Sequence, residues 1–196
     1  GSPGATHDAW GPFARLTAVV VARSGLFYGL NTFVPLYWIH VLGQSKAAGA
    51  TALTLFALAG VCGNLLGGRL ADRFGSTRIA AVGFCALLPL VPALTMASSA
   101  PVALAILVLI GCALSTTYSP LIILGQAYLP NHIGLSSGVT LGVAVSIGGV
   151  ATPLLGRVAD HYGLWATLAV LSFVPLVSAA LALTLPRPAL HSSTRA

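Results

Sequence analysis

Acidic residues are almost missing from this chain. Among 196 residues there is no glutamate, and three aspartates, Asp8, Asp72 and Asp160, stand against nine Arg and Lys for a net charge of +6. Charged residues make up 6% of the sequence, against about 25% in soluble domains. A soluble fold of this length could not cover its surface with so few charges, so that class is excluded. Cysteine is scarce as well. Cys62, Cys85 and Cys112 fall inside apolar runs with no metal-ligand spacing and no disulfide pattern, and read as small packing residues. No metal, no cofactor and no catalytic residue is therefore expected. The basic residues are few and scattered, mostly at the ends of apolar runs. They read as topology signals rather than as a phosphate-binding patch, which excludes nucleic acid as a partner.

What the chain has in abundance is apolar sequence, 57% of it, in runs of about 20 residues. That is the length needed to cross a bilayer core of ~30 Å at ~1.5 Å per residue. Six spans are predicted: Leu16–Ile39, Ala47–Gly67, Ile79–Ala97, Pro101–Leu124, Ser136–Leu155 and Leu164–Leu185. Turn chemistry separates them at Gly43-Gln44-Ser45, Ser98-Ser99-Ala100-Pro101 and Leu129-Pro130-Asn131-His132. The runs lack the two-residue alternation of barrel strands, so helices are the remaining way to pair the backbone in lipid. The expected organisation is a lead-in over residues 1–14, a six-helix transmembrane bundle over 15–185, and a tail over 186–196. No signal peptide is visible and the chain does not begin with Met, so it is expected to be a fragment. Arg15, the Arg69/Arg73/Arg78 cluster and Arg187/Arg195 fall on one side, with only Lys46 and Arg157 on the other. That asymmetry predicts both termini in the cytoplasm.

An internal repeat is the strongest structural signal. Gly68-Arg-Leu-Ala-Asp72-Arg73-Phe-Gly75 returns 88 residues later as Gly156-Arg-Val-Ala-Asp160-His-Tyr-Gly163, with five of eight positions identical. Each copy joins the second and third helix of a three-helix unit. Three is odd, so the two copies are expected on opposite sides of the membrane. The fold class predicted is an all-α membrane protein built as two inverted three-helix repeats.

Gly68-x-x-x-Asp72-Arg73-x-Gly75, followed by Arg78, resembles the loop motif of the major facilitator superfamily. It departs from that pattern at Ser76 and Thr77, where basic residues are usual. Pro130-Asn-His132-Ile-Gly134-Leu-Ser-Ser137-Gly138 is similar to the cytoplasmic loop before the eleventh helix of such transporters. More narrowly, Gly29–His40, Gln44–Gly49 and Leu124–Pro130 resemble the fosmidomycin-resistance type of drug efflux transporter. The resemblance implies half of a major facilitator fold, helices seven to twelve, with the other six helices outside this chain. It implies a bacterial inner-membrane protein embedded in lipid, exporting a small molecule by alternating access with proton coupling. It also implies that Asp72, paired with nearby Arg residues such as Arg73, helps latch the two halves. A stand-alone six-helix channel-like or structural membrane protein is the alternative.

Candidate residues follow from polarity within the spans. Ser24, Tyr28, Asn31 and Pro35 recur along one face of the first helix, bordered by Arg23, which is expected either to line a substrate path or to snorkel to the headgroups. Ser115-Thr116-Thr117-Tyr118 before Pro120 is expected to make a polar break on the substrate path, or else a proline kink with back-bonded hydroxyls. Gly63/Gly67 and Gly138/Gly142 form G-x-x-x-G pairs suited to close helix approach. With the resemblance they imply packing against the other half of the transporter and faces left uncovered here. Asp72 and Asp160, each in a short loop at a helix junction, are expected to cap a helix or to meet a positive helix-dipole end. Gly134-Leu-Ser136-Ser-Gly138 formally matches a hydrolase nucleophile elbow, but it opens a membrane helix, where Ser136 or Ser137 is expected as an N-cap.

Overall fold

The computed structural model describes residues 8–186, and every described element is helical. The first seven residues and the tail from Arg187 onward, with the charges at Arg187 and Arg195, lie outside the described residues. The elements are α1 (Trp10–His40), α2 (Lys46–Phe74), α3 (Ser76–Thr95), α4 (Ala100–Thr116), α5 (Tyr118–Tyr128), a short 3-10 turn at Pro130–His132, and α6 (Ile133–Leu183). Taking α4 with α5 as one, five helices are long and apolar enough to cross a membrane. The fifth, α6, contains Gly163 at φ 82°, ψ 166°, which interrupts the helical backbone and divides it into segments 133–162 and 164–183.

Local chemistry explains the breaks. Gly43 takes φ +62°, and Ser45, in extended backbone, caps α2 by accepting from the Ala48 amide at 3.2 Å. Pro101 sits in the first turn of α4, where its missing N–H costs nothing. Tyr37 at the end of α1 points its hydroxyl between the carbonyls of Leu94 (3.1 Å) and Ala97 (3.0 Å), fastening α1 to the α3–α4 turn.

Helix α1 is the most buried and packs against α2, α4, α5 and α6. Leu16, Leu26, Leu30, Phe33 and Val34 join Phe84, Leu87 and Val91 of α3 and Leu107, Ile110 and Leu114 of α4 in one core. The opposite faces are apolar but exposed, as at Leu65, Val82, Leu109 and Phe173. That inside-out pattern is expected where lipid replaces water as the solvent.

Three sequence expectations are corrected here. Helix α1 starts at Trp10 rather than after residue 14, and the two described residues before it are held in place. The Ala9 amide bonds the Tyr128 carbonyl (2.8 Å), and Asp8 pairs with His132 Nδ1 (2.8 Å). The motif over residues 68–75 is not a loop: α2 continues through it to Phe74, and only Gly75 separates α2 from α3. Twenty-nine residues of helix rise ~44 Å, so α2 projects well beyond a ~30 Å core. The expected capping roles also fail. Asp72 and Asp160 are exposed in the last turns before Gly75 and Gly163, and neither makes a hydrogen bond or ion pair among the described residues. Helix α6 starts at Ile133, so Ser136 lies inside its first turns rather than at its cap.

Candidate functional site

Helices α1, α2, α4, α5 and α6 line a half-open cavity of about 430 Å³. From α1 come Arg23, Ser24, Phe27, Tyr28 and Asn31; from α2 come Phe56, Gly60 and Asn64. The α4–α5 break contributes Ser115 and Tyr118, and α6 closes one side with Leu141, Ala144 and Val145. With α4 and α5 taken together and α6 divided at Gly163, these positions lie toward the middle of the helical segments.

Arg23 is buried, at 8% exposure. Arg23 stands ~20 Å along α1 from Trp10. Its Nε donates to Thr117 Oγ1 at 3.1 Å. Its guanidinium carbon lies 4.8 Å from the centroid of the Tyr118 ring and 6.0 Å from that of Phe27. Two aromatic faces and one neutral hydroxyl offset part of the cost of a buried cation, about 0.5–2 kcal/mol per ring. No carboxylate does so among the described residues: Asp72 and Asp160 are exposed near helix ends, and Asp8 is spent on His132.

Ser24 and Tyr28 share the cavity with Arg23, as does Asn31, whose amide nitrogen donates back to the Phe27 carbonyl at 2.8 Å. Pro35, on the same face, is not part of the lining. The Ser24 hydroxyl oxygen is buried with no partner. Tyr28 lies over Gly148 of α6, where a Cβ would come within 2.5 Å of the ring.

The Ser115–Tyr118 run divides. Ser115 and Tyr118 line the cavity. Thr116 does not; its hydroxyl sits between the carbonyls of Cys112 (2.8 Å) and Gly63 (3.0 Å), joining α4 to α2. Thr117 is not a lining residue either, but its hydroxyl donates to Leu114 O (2.7 Å) and accepts from Arg23. Two back-bonded hydroxyls, Thr116 and Thr117, thus stand between two cavity-lining residues, Ser115 and Tyr118. Sequence reasoning missed Asn64, whose buried Oδ1 has no partner and which stands in the cavity wall. An amide in an otherwise apolar, glycine-rich run was the available signal.

The glycine pairs also divide. A Cβ on Gly63 or Gly67 would collide with the backbone of Cys112 or Thr116, so this pair seats α2 on α4 inside the bundle. That corrects the expectation of an uncovered face at Gly63/Gly67. Gly138 and Gly142 are exposed, with open space where a Cβ would stand. In the motif, Gly68 faces Ser119 of α5 and Arg78 is exposed in the first turn of α3. Arg73 stands over the Phe74 ring, 5.3 Å from its centroid, rather than pairing with Asp72.

A family model described as Major Facilitator Superfamily matches residues 3–153. The chain is 32% identical over 152 residues to an uncharacterized MFS-type transporter, YfnC, of Bacillus subtilis (strain 168), covering 77% of this chain and 34% of the relative. It is 26% identical over 161 residues to the fosmidomycin resistance protein of Escherichia coli (strain K12), covering 81% of this chain and 39% of that protein. It thus spans well under half the length of these relatives. A crystal structure of a mutant peptide transporter POT in complex with alafosfalin superposes with a TM-score of 0.80, covering 93% of this chain and 39% of that one. At 12% identity that likeness concerns the fold alone. The matched family and the long apolar helices agree: the chain is an integral membrane protein that belongs to the major facilitator superfamily.

Proposed function

We propose that these helices form the second half of a twelve-helix transporter that exports a small, anionic, drug-like molecule by alternating access. The observation that carries the reading is Arg23, a guanidinium held inside the bundle beside a 430 Å³ cavity with no carboxylate partner among the described residues. A cation left uncompensated at that depth is expensive unless a ligand or a second bundle supplies the counter-charge.

The count of six spans rests on dividing α6 at Gly163 and joining α4 to α5 across Thr117. Two inverted three-helix repeats would follow. In their support, Gly75 and Gly163 end the two motif copies with the same backbone turn, at φ 94°, ψ 137° and φ 82°, ψ 166°. This region of backbone space is essentially reserved for glycine. Both termini would be cytoplasmic and the membrane the bacterial inner membrane. The exposed Gly138/Gly142 face would receive the other bundle, and Gly68, Asp72, Arg73, Gly75 and Arg78 would meet it during gating. Proton entry, worth ~2.3 kcal/mol per charge per 100 mV, would drive export. No acid lies in the interior of these spans, so the coupling carboxylate would sit in the other half, or a histidine would serve.

Fosmidomycin is the first compound to try, because the E. coli relative is named for resistance to it and because it carries a phosphonate that suits Arg23. The test reconstitutes the full polypeptide its gene encodes into vesicles with an imposed pH gradient. Gradient-dependent fosmidomycin flux is expected. Absence of gradient-dependent flux for fosmidomycin and for a panel of carboxylate and phosphonate drugs would overturn the reading.

A further inference from the structure

Thr117 lies between α4 and α5, at the point where the helix through this span is interrupted. Its side chain faces two ways. The methyl group packs on Gly83 of α3, where a Cβ would come within 2.5 Å of it. The hydroxyl is fully buried and fully engaged: its proton goes to Leu114 O at 2.7 Å, and a lone pair receives Arg23 Nε at 3.1 Å. With its proton committed to a carbonyl, the oxygen can only accept from Arg23, so the bond has one sense. Among the described residues this is the sole hydrogen bond of the guanidinium. The aromatic rings of Phe27 and Tyr118 limit its tilt but do not fix its rotation.

We propose that Thr117 is a positioning residue for anion binding: by fixing Nε through the α4–α5 break, it turns the two terminal nitrogens of Arg23 toward the cavity as a fork for an oxyanion. The proposal rests on the reading of Arg23 as the cavity's anion-binding group and adds what orients it. An Arg fork binds a carboxylate or phosphonate through two parallel bonds only if its plane is held. Without an acceptor at Nε, the side chain must spend ligand-binding free energy on ordering itself.

The experiment uses the full polypeptide its gene encodes, solubilised in detergent, with phenylphosphonate as the probe. Phenylglyoxal modification of Arg23 is followed by peptide mass spectrometry, and the phenylphosphonate concentration that halves the modification rate is measured. Three variants are compared with the parent. Thr117→Val keeps the shape and the methyl packing but loses the acceptor, and is expected to raise the half-protecting concentration roughly tenfold, ~1.4 kcal/mol. Thr117→Ser keeps the acceptor and loses the methyl, and is expected to stay within about twofold of the parent, since the retained hydroxyl carries the effect. Thr117→Ala stands in should the Val variant fail to elute as a single species, with the same rise expected. Equal protection of the parent and the Val or Ala variant overturns the role of Thr117 while leaving Arg23 as the anion site. A rise in the Ser variant as large as in the Val variant overturns it too, because packing rather than the hydroxyl would then be the cause. No protection of the parent at any concentration overturns the underlying reading of Arg23 itself, and the proposal falls with it.

Discussion

Arg23 is the residue on which the chemistry of the cavity turns, and its two classes of contact can be tested separately. Arg23→Ala removes charge and fork together and is expected to abolish fosmidomycin resistance in a sensitive host. Arg23→Lys keeps a charge but not the Nε bond to Thr117 or the planar fork, and is expected to restore only a small part of it. Equal resistance from all three forms would rule out a charge-dependent role. Asn64 offers a complementary test. Its Oδ1 is buried without a partner, so Asn64→Leu relieves an unsatisfied group and is expected to leave the melting temperature unchanged or higher. The same change is expected to weaken export, because an amide in the cavity wall is lost. A large fall in melting temperature would instead make Asn64 a structural residue. The polar face of α1 was legible because Arg23, Ser24, Tyr28 and Asn31 share a helical stripe. Asn64 was not, since an isolated amide has no periodic partner. Thr116 misled because the direction of a hydroxyl depends on the break beside it, which spacing alone does not show.

At the scale of the elements, the glycine pairs make opposite predictions. Gly67→Val forces a side chain into the backbone of α4 and is expected to cost about 1–3 kcal/mol, read as a clear drop in the detergent melting temperature. Gly138→Val meets open space within these helices and is expected to leave their stability unchanged while lowering transport by the complete protein. Both substitutions lowering stability alike would remove the distinction. Gly75→Ala and Gly163→Ala are each expected to cost ~1–3 kcal/mol of strain, because both glycines sit at positive φ with extended ψ. Insensitivity of either one would mean that the turn relaxes and that its backbone is not a shared requirement. The helical spans were legible from apolar run length. Their ends were not: the motif residues Arg69–Phe74 are polar enough to suggest a loop, yet helix propensity lets α2 run on through them into water. The same cause merges the last two expected spans into α6, interrupted by a single glycine.

For the molecule as a whole, the account depends on one topological claim, that the two Asp-bearing helix junctions face opposite compartments. The claim starts from the repeated sequence, whose two copies end on glycines of similar backbone conformation, Gly75 and Gly163. An odd number of spans separates the junctions if α3, α4 with α5, and segment 133–162 each cross the membrane. Each has enough residues, since at ~1.5 Å per residue a ~30 Å core needs about 20. The most direct measurement places single cysteines at Asp72→Cys and Asp160→Cys in a background with Cys62, Cys85 and Cys112 replaced by Ala. Intact cells are then treated with a membrane-impermeant maleimide that reaches only the outer face of the inner membrane. The account predicts labelling at position 160 and protection at position 72 until the cells are opened. Labelling of both positions, or of neither, before the cells are opened would contradict it.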